Sequence, residues 1–163
     1  MKNISRYYLY LLLSVSYFVL HASCTEVNVF EKNITIPHHS WSSKFKPEVT
    51  FTIDDTLSRY KIYIVLRHSD AYRFKNIWIN LHTESPSGVL RNQPLDLQLA
   101  TDSEGWVAAN GMDDLFEHRI MITPPGSPQT LRAGTYKFKL ENIMREDPLN
   151  HVWNVGIRLE KTQ

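Results

Sequence analysis

The residue with the most distinctive chemistry is Cys24, the one cysteine of the chain, set in Leu20-His21-Ala22-Ser23-Cys24. A single thiol cannot build a disulfide framework, and in an exported protein it needs another use. Thioether attachment of diacylglycerol supplies that use. A lipoprotein-type signal makes cysteine the first residue of the mature chain, and small residues before it suit the cleavage. Each buried methylene contributes about 0.8 kcal/mol, so one acyl chain holds a protein only marginally, whereas several hold it stably. The covalent lipid on Cys24 is thus the expected modification, and no other cofactor is called for. His21 stands where such signals usually carry an aliphatic residue. The competing reading is an ordinary signal ending after Ala22 or Ser23, with Cys24 left as a free thiol.

Other residues capable of chemistry have plainer readings. Asp54-Asp55 and Asp113-Asp114 could ligate calcium or act as an acid and base pair, but both lie at strand ends, where aspartate bonds nearby backbone amides. His38 and His39 are adjacent, and neighbours on a strand point to opposite faces, so they do not share an ion. His68, His82, His118 and His151 are scattered without zinc-site spacing and read as surface or loop histidines. No metal site is expected. There is no Gly-x-Ser-x-Gly elbow and no phosphate-binding glycine loop, so the chain reads as a non-enzyme without a small-molecule substrate.

Aromatic residues carry more information. Trp41, Trp78, Trp106 and Trp153 accompany Tyr60, Tyr63, Tyr72 and Tyr136. Some must fill a core, but Trp78 and Tyr63 alternate with aliphatic neighbours and can face outward. Exposed aromatics anchor protein interfaces and stack on sugar rings, which makes Trp78, Trp106 and Tyr63 the candidate partner-binding residues.

The segments that must position these residues begin with a signal. Met1 to Arg6 carries Lys2 and Arg6 and no acid, and Tyr7 to Leu20 is apolar. That run is too short for a stable membrane-spanning helix, so residues 1–23 read as a cleaved lipoprotein signal peptide and residues 24–163 as one lipid-anchored domain. Without Lys2 and Arg6 the mature chain has near-zero net charge, which gives no sign of a nucleic-acid partner. Period-two alternation then runs through Val49-Phe51-Ile53, Ile62-Ile64-Leu66, Ile77-Ile79-Leu81, Leu95-Leu97-Leu99, Tyr136-Phe138-Leu140 and Val155-Ile157-Leu159. Thr25 to Ile36 and Phe116 to Ile122 add two more strands, and Met112 to Glu117 could form a helical turn. Turns at Lys46-Pro47, Ser85-Pro86-Ser87-Gly88, Pro124-Pro125-Gly126 and Ala133-Gly134 separate the runs. About eight strands of this kind predict an all-β fold, an antiparallel β-sandwich or jelly roll.

Several stretches together resemble one family, the gliding motility lipoprotein GldH of the Bacteroidota. They are Ser40-Trp41, Phe51-Thr52-Ile53-Asp54-Asp55-Thr56 with Arg59-Tyr60, Leu66-Arg67, and Tyr72-Arg73-Phe74-Lys75-Asn76-Ile77-Trp78. Gly105-Trp106, Gly134-Thr135-Tyr136, Met144-Arg145 and Asn154-Val155-Gly156-Ile157-Arg158-Leu159-Glu160-Lys161 continue the likeness over nearly the whole mature chain. One departure is Val107-Ala108-Ala109-Asn110-Gly111 after Trp106, where relatives tend to have glycines. The resemblance implies a lipid-anchored envelope accessory of gliding and type IX secretion whose partners are the membrane and other envelope proteins; it carries over no catalytic residue. Thr25-Glu26-Val27-Asn28 offers a single acid after the cysteine, which favours a periplasm-facing domain, and the expected location is the cell envelope, anchored at the outer membrane. The alternative function is a surface glycan-binding β-sandwich module.

Overall fold

The computed structural model describes residues 29–103, 105–107, 109–112, 114–124, 126 and 128–162; the expected signal peptide, Cys24, Ala108 and Asp113 lie outside them. Nine strands carry the fold: β1 (Val29–Thr35), β2 (Glu48–Ile53), β3 (Arg59–Ser69), β4 (Asn76–Glu84), β5 (Leu90–Gln98), β6 (Ala109–Met112), β7 (Leu115–Met121), β8 (Gly134–Asn142) and β9 (Val152–Thr162). Their period-two patterns make these strands half-buried. In β2, Val49, Phe51 and Ile53 are buried while Thr50 and Thr52 face solvent; in β8, Tyr136, Phe138 and Leu140 point in and Lys137 and Lys139 point out.

One sheet runs β1-β9-β3-β7-β6 and the other β2-β8-β4-β5, every pair antiparallel. The pairings are nested: β1 with β9, β2 with β8, β3 with β7, β4 with β5. A long hairpin wound so that its arms alternate between two layers produces this nesting, and it is the order of a jelly roll, with β6 an added hairpin arm on β7. The all-β sandwich expected from the sequence is the fold observed. Ile64, Leu66, Val155 and Ile157 of the first sheet and Ile77, Ile79, Phe138 and Leu140 of the second belong to one buried cluster. Each such side chain contributes about 1.5–3 kcal/mol on burial. Trp41 is fully buried and donates its indole N–H to the Phe45 carbonyl at 2.9 Å, which removes the cost of an unpaired donor.

Register fixes what lies at each end of the sandwich. Val29 pairs with Glu160, which pairs with Lys61, and Gly134 pairs with Ile53. The start of β1, the β2–β3 turn, the β4–β5 turn and the Gln129–Thr130 bridge to β3 therefore share one end, here the proximal end. The distal end carries His68, Tyr72, Trp106, Ile143 and Met144.

Three local expectations are corrected. Met112 to Glu117 forms no helical turn: Met112 pairs with Leu115 to close the β6–β7 hairpin. His38 and His39 are not on a strand but in a 3-10 turn, with φ of 54° and 51°. β5 starts at Leu90, ahead of the apolar alternation, because Leu90 to Pro94 is held by pairing with Asn80 to Glu84 rather than by burial of its own side chains.

Candidate functional site

His68 on β3 and His118 on β7, expected at the surface, are both fully buried, and their Nε2 atoms lie 2.9 Å apart. Both occupy inward-facing positions, His68 after Ile62, Ile64 and Leu66, and the β3–β7 register brings them together. The Nδ1 of His68 lies 2.7 Å from the Ser69 carbonyl and that of His118 lies 2.9 Å from the Val107 carbonyl. A carbonyl only accepts, so each Nδ1 carries a proton. Three contacts then need three N–H groups, whereas two neutral rings hold two. The Nε2 atoms are joined when the pair has taken up one further proton. Trp106 stands edge-on to His68 with centroids 4.4 Å apart, Phe116 stacks at 5.8 Å, and Tyr72 lies at 5.0 Å. Burial opposes protonation and pushes both imidazoles below their usual value, His68 to about 4. The chemistry available is uptake of one shared proton on acidification. Among the described residues no group of three or more His, Cys, Asp or Glu is arranged to hold a metal ion.

A cleft of about 460 Å³ opens between the sheets, and its apolar lining includes Ile62, Leu81, Ile122, Leu131, Tyr136 and Phe138. Its polar lining includes Arg91 and Arg132, and no carboxylate. The volume falls in the range of ligand pockets.

The three aromatics singled out from sequence do not converge. Trp78 lies on the outer face of the second sheet, 41% exposed, with Ile143 at the same exposure nearby; the main-chain N–H of Trp78 donates to Met144 Sδ at 3.2 Å, and the main-chain N–H of Ile143 to the Trp78 carbonyl at 3.2 Å. Tyr63 is half-buried on the opposite outer face, hydrogen-bonded to Glu160. Trp106 is half-buried against the core and belongs to the histidine pocket. The Asp54-Asp55 pair serves a turn: Asp55 accepts from the Leu57 and Ser58 amides and the Ser58 hydroxyl and pairs with Lys161 at 2.6 Å. What sequence reasoning missed was the histidine pair, and the signal for it was the inward parity of His68.

The chain matches the GldH lipoprotein family over residues 28–159. The gliding motility lipoprotein GldH of Flavobacterium johnsoniae is 25% identical over 154 residues, spanning 88% of this chain and 91% of that protein. A GldH homolog of Christiangramia forsetii is 23% identical over 153 residues, spanning 88% and 90% respectively. A carbohydrate-binding module of the CBM28 type, specific for non-crystalline cellulose, aligns with a TM-score of 0.45 and 11% identity over 86% of this chain and 78% of its own. That likeness is too slight to bear on function. The family match takes in β1 to β8 and most of β9, and the chain belongs to the GldH lipoprotein family.

Proposed function

We propose that this protein is a lipid-tethered, non-enzymatic component of the cell envelope that serves gliding motility, and type IX secretion where that machinery is present, by contact with other envelope proteins. The observation that carries the reading is the match of nearly the whole sandwich, residues 28–159, to a lipoprotein family. Cys24 is the lipidated residue, the tether places the domain at the outer membrane facing the periplasm, and confinement there raises its effective concentration for neighbours in the same layer. The contact residues are Trp78, Ile143 and Met144 at the distal end, since an exposed tryptophan beside aliphatic side chains has the chemistry of an interface anchor.

The test has two readouts. Mass spectrometry of the native N-terminal peptide should show acyl chains on Cys24, and Cys24→Ala should free a folded domain from the membrane with loss of gliding. Co-purification from solubilised membranes should recover envelope proteins that Trp78→Ala fails to recover. An unmodified thiol would reject the tether; sugar binding on a glycan array lost in Trp78→Ala, with no protein partner, would replace the contact role by glycan recognition.

A further inference from the structure

Among the described residues, the unpaired arginines and the most exposed apolar side chains gather at the proximal end. Of the eight arginines from Arg59 onward, Arg67, Arg73, Arg119 and Arg158 are ion-paired, and Arg145 lies over the Phe74 ring at 4.9 Å. The remaining three, Arg59, Arg91 and Arg132, have no side-chain partner among the described residues. All three are exposed and proximal: Arg59 opens β3, Arg91 follows the β4–β5 turn, and Arg132 follows the bridge that pairs with Arg59 and Tyr60. Arg91 and Arg132 line the same apolar-floored cleft. The unpaired carboxylate there is Asp54, since Asp55, Glu84 and Glu160 are held by Lys161, Lys137 and Arg158.

Leu57 is 94% exposed, Leu90 72% and Val89 52%, the three most exposed large apolar residues described. Leu57 sits in the β2–β3 turn and Val89 and Leu90 at the β4–β5 turn, so all three project from loop tips at this end. Loop tips are ordinarily polar, and apolar tips flanked by unpaired cations match the chemistry of a bilayer surface, where aliphatic groups enter the acyl boundary and arginine meets lipid phosphate.

The chain supplies the occupant. β1 begins at Val29 at this same end, and five peptide units separate it from Cys24, a reach of at most about 18 Å. A lipid on Cys24 would therefore hold this end, and no other, within touching distance of its bilayer. Resting on the tether reading above, we propose that the proximal end is a phospholipid-binding face: Leu57, Val89 and Leu90 seat in the membrane surface, and Arg91 and Arg132 take a lipid phosphate at the mouth of the cleft. The distal end, with Trp78 and Ile143, then stands roughly the length of β3 away, about 35 Å, clear of the membrane for partners.

The test uses the full acylated protein, in which a lipidated Cys24 leaves no free thiol. Leu57→Cys, Leu90→Cys and, at the distal end, Ile143→Cys are each labelled with an environment-sensitive fluorophore and reconstituted in vesicles of phosphatidylethanolamine and phosphatidylglycerol that include nitroxide lipid. Quenching at positions 57 and 90 should exceed that at 143 at least threefold, and Arg91→Ala with Arg132→Ala should cut the difference by half or more. Equal quenching at both ends, no quenching at 57 and 90, or energy transfer between labelled copies in its place would overturn the proposal, the last in favour of self-association. Label uptake by the unsubstituted protein would reject the tether separately, with the quenching comparison still deciding the face.

Discussion

Arg119 on β7 meets Glu31 on β1 at 3.2 Å, over two intervening strands. The reach depends on what lies beneath it. Arg119 pairs with Val65 on β3, Val65 with Gly156 on β9, and Gly156 with Asn33 on β1, so the row under the contact has one small branched side chain and one with none. Arg158 also donates to Glu31, at 2.9 Å, and Arg67 and Arg119 both hold Glu117. The strip of alternating charge closes over Val65, which faces outward yet is 1% exposed.

Gly156 is the weak point of that row. A Cβ there would lie 2.2 Å from the Lys32 carbonyl and 2.2 Å from Asn33 Oδ1, and the first of these is backbone that cannot swing aside. Gly156→Ala should lower unfolding free energy by about 3 kcal/mol. A urea midpoint equal to that of the unsubstituted protein would show that β1 does not pack on β9 in this register.

Asn142 is the corresponding point in the second sheet. It is 1% exposed, donates to the Trp41 carbonyl at 2.9 Å and accepts from the Met144 amide at 2.9 Å. Asn142→Leu keeps the branching but strands both backbone groups, for a loss of about 3 kcal/mol. Because Met144 Sδ accepts the main-chain N–H of Trp78, displacing Met144 shifts the strand that carries the indole, and a change in Trp78 fluorescence should accompany the lower melting temperature.

How much of this was legible beforehand follows from the range of the interactions. Alternation within one strand is local, so the inward residues of β2, β4, β8 and β9 could be read directly. Pairing is not local: β1 finds β9 across more than a hundred residues, and nothing in either strand names the other. The alternation of Ile62, Ile64 and Leu66 puts Val65 on the outer face, but its burial comes from Arg119 and its neighbours arriving from other strands. His68 and His118 are fifty residues apart in sequence, and only the β3–β7 register makes them a pair. Leu90 to Pro94 lacks any apolar pattern and is a strand because β4 supplies its hydrogen-bonding partner.

Trp78 and Trp106 should separate function from stability. Trp78 is largely free of the core, so Trp78→Ala should change unfolding free energy by less than about 1 kcal/mol while cutting recovery of envelope partners at least fivefold. Trp106 packs on His68 and on Phe116 with a 5.6 Å centroid separation, so Trp106→Ala should cost about 3 kcal/mol. Equal effects of the two on stability would remove the distinction.

Acid sensitivity should arrive in two steps. Burial holds His68 near 4 and His118 below its usual value, whereas both sit near 6.5 once unfolded. Between those values the unfolded chain binds more protons, so stability rises with pH and is lost as pH falls from about 6.5 toward 4, by at most about 1.4 kcal/mol per pH unit for each histidine. The carboxylates then add a second fall. Burial raises Glu31 and Glu160, but the arginine hydrogen bonds, from Arg158 and Arg119 to Glu31 and from Arg158 to Glu160, outweigh it, and Lys46 lowers Glu141; all three are held below 4.5. Their contribution is present above that value and is lost as they protonate below it. Replacing both histidines by leucine strands the Ser69 and Val107 carbonyls and lowers stability at neutral pH, but it should flatten the slope between 6.5 and 4 while the steeper fall below 4.5 remains. Urea unfolding measured from pH 8 to pH 3 decides this: a slope that survives the double replacement would place the acid-sensitive group elsewhere in the sandwich, and its loss would assign the first step to the two imidazoles that burial keeps neutral in the folded state.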